Sequence, residues 1–521
     1  MTVIKEFVQS VKLYDDNNYE QTLSTIKTLL ECGCCCRCCL RFLGCNNLKL
    51  YSFEEQKLIE KTTSLVIPEG ICTACLGSLQ YADEYIKESF EQLKADPYQV
   101  NTISLSCTLP VSTLIRNHLI RIHLEDKGHK YSGLDEEGFI KDPKNIFKFL
   151  LGEYIEKQTD LKIDNDAGLR MTVVIDHESS SHEHMMLAQL EKPLLKIKTI
   201  RQKRRRVTVG DSRQCIHYAL KKLDTEEARK LTSIPPAAPT EKAKISSVPL
   251  MNAPTYIGGR YLKFSREYSQ TPWSVRGAKL AENSVSDCFE LVKKYHRADD
   301  AKFGSAGRED ANVRMLGTGR PFFLELVNPR IPRLSDEEYK KLEDEINQSP
   351  LHKDAVQVRH LTYVEPKHLR IIKEGEEKKT KKYRALVWLS EPLTDELVKH
   401  INEASSKECP IQQKTPIRVF QRRAAIIRPK TIYSANIARL SDKPEEAHFG
   451  VFEMHAQAGT YIKEFVHGDL GRTKPNLATI AGIHSADLLE LDVMDVDLIW
   501  PPVEEEHVEI NENNKRLVAD A

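Results

Sequence analysis

The chain has 521 residues, of which 40% are hydrophobic and 29% charged. That is too apolar for a disordered chain, and at about 150 residues per domain it is enough for about three to four domains. Lys plus Arg and Asp plus Glu each number 76, which excludes a uniformly basic nucleic-acid coat but leaves room for a local basic face.

In chain order, Ile4, Phe7, Val8 and Val11 recur at helical spacing and predict an opening helix. The first ten residues carry charges where a secretory signal needs an apolar run. The longest uncharged stretch, Pro97 to Ile115, holds two prolines and many polar side chains, so no membrane span is expected. The chain reads as intracellular, soluble and free of membrane attachment, with its thirteen cysteines reduced.

Six of the eight residues from Cys32 to Cys39 are cysteine, and Cys72 and Cys75 follow. Cys35-x-x-Cys38 and Cys72-x-x-Cys75 offer four thiolates from two turns, the soft tetrahedral set that Zn²⁺ favours. Cys32/Cys35 and Cys36/Cys39 share that spacing, so composition alone leaves the register open. Buried or redox-reactive thiols are the competing reading. A structural metal would supply folding energy to a segment with little core of its own. His177, His182 and His184 also cluster, but in a Ser-rich stretch that reads as a loop.

Tyr81–Lys94 reads as helical, Thr102–Leu119 as short apolar runs, and Arg170–Ile175 as a strand. From Lys192 to Arg206, eight of fifteen residues are Lys or Arg. This is either a solvated strand or loop, a nuclear localisation patch, or a phosphate-binding stripe. Residues 231–254, which include TSIPPAAPT, read as a linker. In the following segment, strands are expected at Phe322–Val327, Tyr383–Leu389, Ile417–Ile427 and Phe449–Ala456. Helices are expected at Val285–Tyr295 and Glu338–Ile346. The stretch beyond residue 503 reads as a flexible tail.

Two stretches of this second half carry chemistry. Asp310 lies among Gly307, Arg308, Arg314 and Arg320. Arginines keep a neighbouring carboxylate ionised, and an ionised carboxylate can serve as nucleophile or base. Composition alone more often means a salt-bridged loop. In AGTYIKEF, from Ala458 to Phe465, a helix start would place Tyr461 and Lys463 near a pocket, with Arg472 beyond. Tyr383 opens a strand and could equally fill a core.

These blocks carry a resemblance. CxRCxxRF from Cys35 to Phe42, CxxCLG from Cys72 to Gly77 and GRYLKFSREYSQTPW from Gly259 to Trp273 are the first three. AGREDANVRMLGTGRPF from Ala306 to Phe322, KEGEEKKTKKYRALVW from Lys373 to Trp388, KTPIRV from Lys414 to Val419 and AGTYIKEFVHGDLGRTKPN from Ala458 to Asn476 follow. Together they resemble the eukaryotic and archaeal tRNA pseudouridine synthases that carry an N-terminal THUMP-type RNA-binding domain and act on the TΨC arm.

The resemblance implies an α+β chain in five parts: a helical zinc-binding segment over 1–80, a THUMP-type domain over 81–230, a linker over 231–254, a catalytic domain over 255–502 with a mixed, largely antiparallel sheet, and a tail over 503–521. It implies isomerisation of one or both adjacent uridines of that arm. Asp310 would be the essential aspartate and nucleophile; attack on the sugar, attack on the base and proton abstraction at the 2′ position all stay open. Lys463 would be its basic catalytic partner, and Tyr383, Tyr461, Arg308 and Arg472 would contact substrate. Leu489 or Leu491 would line the pocket. The resemblance implies structural zinc on Cys35, Cys38, Cys72 and Cys75, no organic cofactor, tRNA as partner, a monomer, and a nuclear or cytoplasmic location or both. Asn312 departs from the acidic residue the pattern leads one to expect. The alternative is a non-catalytic RNA-binding scaffold. A methyltransferase fits poorly, because a strand-like segment follows Gly317-Thr-Gly319 where a helix is needed, and no ATP-binding loop is found.

Overall fold

The computed structural model describes residues 19–52, 69–129, 139–202, 205–210, 212–275, 278–421 and 423–502. The expected opening helix, the tail beyond 503, and Lys203 and Arg204 of the basic run lie outside them. Backbone contacts divide the chain into two units, Met1–Asn252 and Ala253–Ala521. Among the described residues no helix is long and apolar enough to cross a membrane.

The first unit opens with α1 (Tyr19–Glu31) and α2 (Cys36–Phe42). Nearly every side chain of α2 is buried, including Arg37 and Arg41. Next comes α3 (Ala82–Ala95), with Asp83 and Glu84 in its first turn and Lys94 in its last, matching the helix dipole. Tyr85, Ile86, Phe90 and Leu93 form its buried stripe.

Strand β1 (Thr102–Thr108) leads into α4 (Ser112–Asp126), where sequence periodicity had suggested only short apolar runs. The reason is that α4 serves two cores. Ile120 and Leu124 face the main one, while Ile115, Leu119 and Ile122 join a smaller one with Leu187, Leu195 and Ile216. Apolar residues on two faces blur the single stripe that marks a helix. Helix α5 (Pro143–Gln158) begins with Asp142 accepting from Lys144 N at 2.9 Å and Pro143 in the first turn.

Strand β1 pairs in parallel with β2 (Leu169–Asp176). The expected linker is partly strand. Lys244–Ser247 and Leu250–Met251 both pair antiparallel with β2, and the Tyr85 hydroxyl donates to the Ala243 carbonyl. Backbone pairing needs few large side chains, so the apolar-poor composition misled. One core runs from Ile26 through the four paired cysteines, Phe147 and Met171 to Ala243, so the cysteine segment and the sheet are packed as one body. The basic run supplies β3 (Lys198–Gln202) and β4 (Arg205–Val209), which pair antiparallel.

The second unit is built on one ten-stranded sheet. Its strands are β5 (Thr255–Lys263), β6 (Asp300–Ser305), β7 (Val313–Val327), β8 (Val356–Val364), β9 (Lys381–Leu389), β10 (Cys409–Lys414), β11 (Ile427–Arg439), β12 (Phe449–Ala456), β13 (Thr473–Lys474) and β14 (Ala486–Val496). The order is β8-β5-β7-β14-β9-β12-β11-β10-β13, with β6 on β7. The pair β7–β14 is parallel; the other pairs are antiparallel.

Gly317 lies inside β7 at φ +62, and a Cβ there would sit 1.7 Å from the Met494 carbonyl oxygen. Only glycine fits such a close approach, so the Gly-Thr-Gly run belongs to a strand irregularity. Helix α6 (Asp336–Gln348) starts with the Ser335/Glu338 capping box and buries Tyr339, Leu342 and Ile346. The segment 417–427, expected as strand, is instead a 3₁₀ turn at Ile417–Val419 followed by irregular chain up to the start of β11. Ile417, Phe420 and Ile426 are exposed there, so the apolar run does not record burial. The short helix α7 (Ile462–His467) follows β12.

Candidate active site

Asp310 stands in the loop between β6 and β7, and its carbonyl accepts from Val313 N at 3.1 Å, which closes the turn into the strand. The residues below it fix that loop. Gly307 has φ +90, and a Cβ there would lie 2.7 Å from Lys381 Nζ. Glu309 and Arg320 form an ion pair of 2.7 Å with both side chains 1% exposed. The Tyr261 hydroxyl donates to Glu309 Oε1 at 2.8 Å, and Gln270 Nε2 donates to Tyr261 at 2.8 Å and to the Gly307 carbonyl at 3.0 Å. Lys263, wholly buried, donates to the Ala311 carbonyl at 2.7 Å and the Ser265 carbonyl at 3.1 Å. Burial pushes its ammonium down to about 8.

The carboxylate itself is half exposed and faces two cations. Lys463 Nζ lies 2.9 Å from Asp310 Oδ2 and 3.1 Å from Asn312 Oδ1. Arg418 Nη1 lies 3.4 Å from the same Asp310 oxygen. Desolvation pushes the Asp310 carboxyl up. The Lys463 hydrogen bond and the charges of Lys463, Arg418 and Arg308 more than offset this and hold it below the ordinary aspartate value. Asp310 is therefore an ionised carboxylate at neutral pH with an open face. Asn312, the departure from the expected acid, supplies an uncharged acceptor to Lys463.

Lys463 and Tyr461 are positioned by α7. Tyr461 is its N-cap residue, and buried Gln413 clamps the Tyr461 backbone, with Gln413 Oε1 accepting from its N–H and Gln413 Nε2 donating to its carbonyl, each at 2.9 Å. Tyr383 lies on β9, opposite Val493 of β14 and Met454 of β12. Val493 is in turn opposite Met315 of β7, so Tyr383 shares a cross-strand row with the strand that Asp310 leads into. Burial pushes its phenol up to about 12, so it stays neutral. Arg308 is exposed beside Asp310. Arg472 is placed differently. Its guanidinium donates to the Thr415 carbonyl at 2.7 Å, lies 3.5 Å from Asp469 and stacks 4.5 Å over the Phe420 ring. Leu491 is buried between Val313 and Ala385 in register, whereas Leu489 is exposed.

Sequence reasoning missed Arg418, although it stands inside the KTPIRV block. Its Nε donates to Glu464 Oε1 at 2.7 Å, and Glu464 is 2% exposed. A glutamate immediately after Lys463 in YIKEF was the available signal.

In the first unit the Sγ atoms of Cys35, Cys38, Cys72 and Cys75 all lie within 4.8 Å of one another, and all four are buried. Cys35 and Cys75 sulfurs are 4.0 Å apart. A tetrahedral ion with metal–sulfur bonds of about 2.3 Å spaces its ligands about 3.8 Å apart, so this donor set fits one ion. Arg41, fully buried, donates to Cys38 Sγ at 3.5 Å, to Asn117 Oδ1 at 3.0 Å and to the Lys141 carbonyl at 2.7 Å. A buried guanidinium aimed at sulfur suits a thiolate. Cys34 and Cys39, also buried, stand in the core around this group. The His177 ring is used locally, by Ser180 Oγ and the Glu241 carbonyl at 2.9 Å each.

The family description "Pus10, C-terminal" matches residues 256–497, and "Eukaryotic Pus10, N-terminal" matches residues 72–249. The protein named tRNA pseudouridine synthase Pus10 of Xenopus laevis is 32% identical over 525 residues, covering 93% of this chain and 98% of its own length. The chain belongs to the Pus10 family. The Homo sapiens protein of that name is 33% identical over 439 residues, covering 83% of this chain and 79% of its own. The one from Archaeoglobus fulgidus is 39% identical over 256 residues, 47% of this chain and 67% of its own. Both Pus10 segments fall inside the two units, and the Asp310 site lies wholly in the C-terminal one.

Proposed function

We propose that the chain is a tRNA pseudouridine synthase acting on uridine of the TΨC arm, with Asp310 as the catalytic carboxylate. The carrying observation is the 2.9 Å pair of Lys463 with a half-exposed, ionised Asp310 in a Pus10-family chain. The reaction is an isomerisation. The bond from ribose C1′ to uracil N1 breaks, a bond from C1′ to C5 forms, C5 gives up its proton and N1 gains one. Nothing is oxidised, so the chain's own side chains can supply what is needed. Extruding the base costs a few kcal/mol, which stacking and hydrogen bonding recover. Tyr383 would offer a neutral ring for that purpose, Tyr461 and Arg308 would contact the substrate, and Lys463 would keep Asp310 ionised and oriented.

The first unit is read as the RNA-binding part, a THUMP-type domain with a zinc-bearing segment. In support, the four-sulfur set matches zinc chemistry; a nuclear or cytoplasmic location, where thiols stay reduced, goes with this reading. When bound, zinc would tie two Cys-x-x-Cys turns into the shared core. Arg472 braces the 415–420 segment through its Nε and Nη2 donors to the Thr415 carbonyl, and any substrate contact by its guanidinium would be made from that fixed position.

Tritium release from unmodified tRNA carrying tritium at uracil C5 tests the reading. Wild type should release it, and Asp310→Asn should not. No release by either protein, both binding tRNA, would favour the scaffold alternative.

A further inference from the structure

Asp310 is faced by charged groups from several elements. Lys463 and, behind it, Glu464 come from α7, and Arg418 comes from the 3₁₀ turn at Ile417–Val419. Arg308 and Glu309 come from its own loop, and Lys263 comes from β5 beneath. Of these, Arg418 has no place in the reaction as derived above, yet it is held by a buried partner. Its Nε is held at 2.7 Å by Glu464, whose side chain is 2% exposed and whose Oε2 has no partner among the described residues. Burying a glutamate is costly unless it is paired, so Arg418 is the group that makes Glu464 tolerable there. The turn carrying Arg418 is pinned as well. Ile417 N donates to Asp469 Oδ2 at 3.2 Å, and Arg472 holds the Thr415 carbonyl. With its Nε fixed, the fork directs Nη1 to 3.4 Å from Asp310 Oδ2, the oxygen that Lys463 also holds.

We propose that Arg418 is a positioning residue for the isomerisation, a second cation that the buried Glu464 aims at Asp310 so that one carboxylate oxygen is fixed and the other is left for the substrate. This rests on the reading of Asp310 as the catalytic carboxylate. Two cations on Oδ2 orient the carboxyl plane as well as its charge. Glu464 cancels the charge of the second cation, so the Asp–Lys–Arg–Glu group is formally neutral and does not attract stray anions. Arginine is required because one planar fork must reach two carboxylates at once. A lysine offers a point charge and cannot bridge them.

The test compares wild type, Arg418→Ala and Arg418→Lys over a pH series with tRNA transcript. Carbodiimide labelling of Asp310, read by peptide mass spectrometry over the same series, accompanies it. For Arg418→Ala, kcat should fall roughly tenfold to a hundredfold, as for a misplacement of about 1 Å, with KM little changed. The acid limb of the rate profile and the labelling midpoint should both move to higher pH. Arg418→Lys should bring the midpoint back toward wild type but leave kcat low. A rise in KM alone, with the labelling midpoint unmoved, would make Arg418 an RNA contact and overturn the proposal. The labelling arm reads Asp310 without turnover. An inactive wild type would count against the synthase reading, while an unmoved midpoint would count against the role of Arg418.

Discussion

Lys463 divides one ammonium between Asp310 at 2.9 Å and the Asn312 amide at 3.1 Å. Removing it withdraws the strongest influence holding the Asp310 carboxyl below its ordinary value. Lys463→Ala should therefore move the acid limb of kcat/KM to higher pH and cut kcat on the order of a hundredfold or more, as pH–rate profiles would show. Asn312→Asp should move the limb the same way by like-charge repulsion, with a smaller loss of rate; an unmoved limb would contradict the shared-ammonium account. Lys263 makes a separate prediction. Its folded value is lowered from 10.5 to about 8. Below about 8 both folded and unfolded chains hold the proton. Between there and 10.5 only the unfolded chain does, so stability rises with pH in that window. Melting temperatures of wild type relative to Lys263→Met should show this gain, and a constant difference would contradict it. At this scale Asp310 and Lys463 were singled out by the resemblance of their sequence blocks, since arginines and glycines around a carboxylate suggest by themselves only a salt-bridged loop; the ion pair that joins the two is what the geometry adds. Arg418 was not, because its role comes from a turn whose apolar residues mimic a strand.

Among the elements, α7 matters most to the site although it has only six residues. A helix so short has little stability of its own. It is held by Phe465, 1% exposed and stacked on Phe452 with ring centroids 6.4 Å apart, and by buried Ile462 and Val466. Phe465→Ala should cost about 3–5 kcal/mol in denaturant unfolding and lower kcat through loss of Lys463 placement; a surface-like cost below 0.5 kcal/mol would contradict this packing role. Elements with one clear period, such as α6 with its capping box, β9, β12 and α3, could be read directly from the chain. Helix α4 could not, because it feeds two cores. The strands at Lys244–Ser247 and Leu250–Met251 were hidden because their edge pairing rests on backbone bonds with few large apolar side chains.

At the level of the whole molecule, each unit has its own core, and the four buried sulfurs belong to the core of the first. With zinc held there as proposed, chelation should destabilise one unit selectively. Calorimetry of the full chain should show one transition falling in temperature on chelator addition while a second stays in place. A single transition shifting as a whole would contradict independent cores. The most direct test of the central claim is to map pseudouridine at single-nucleotide resolution on an unmodified tRNA transcript after incubation with wild type and with Asp310→Ala, measuring tRNA binding for both. The account predicts product in the TΨC arm with wild type, and none with Asp310→Ala at undiminished binding. Product formed by Asp310→Ala, or none from a folded, tRNA-binding wild type, would contradict it.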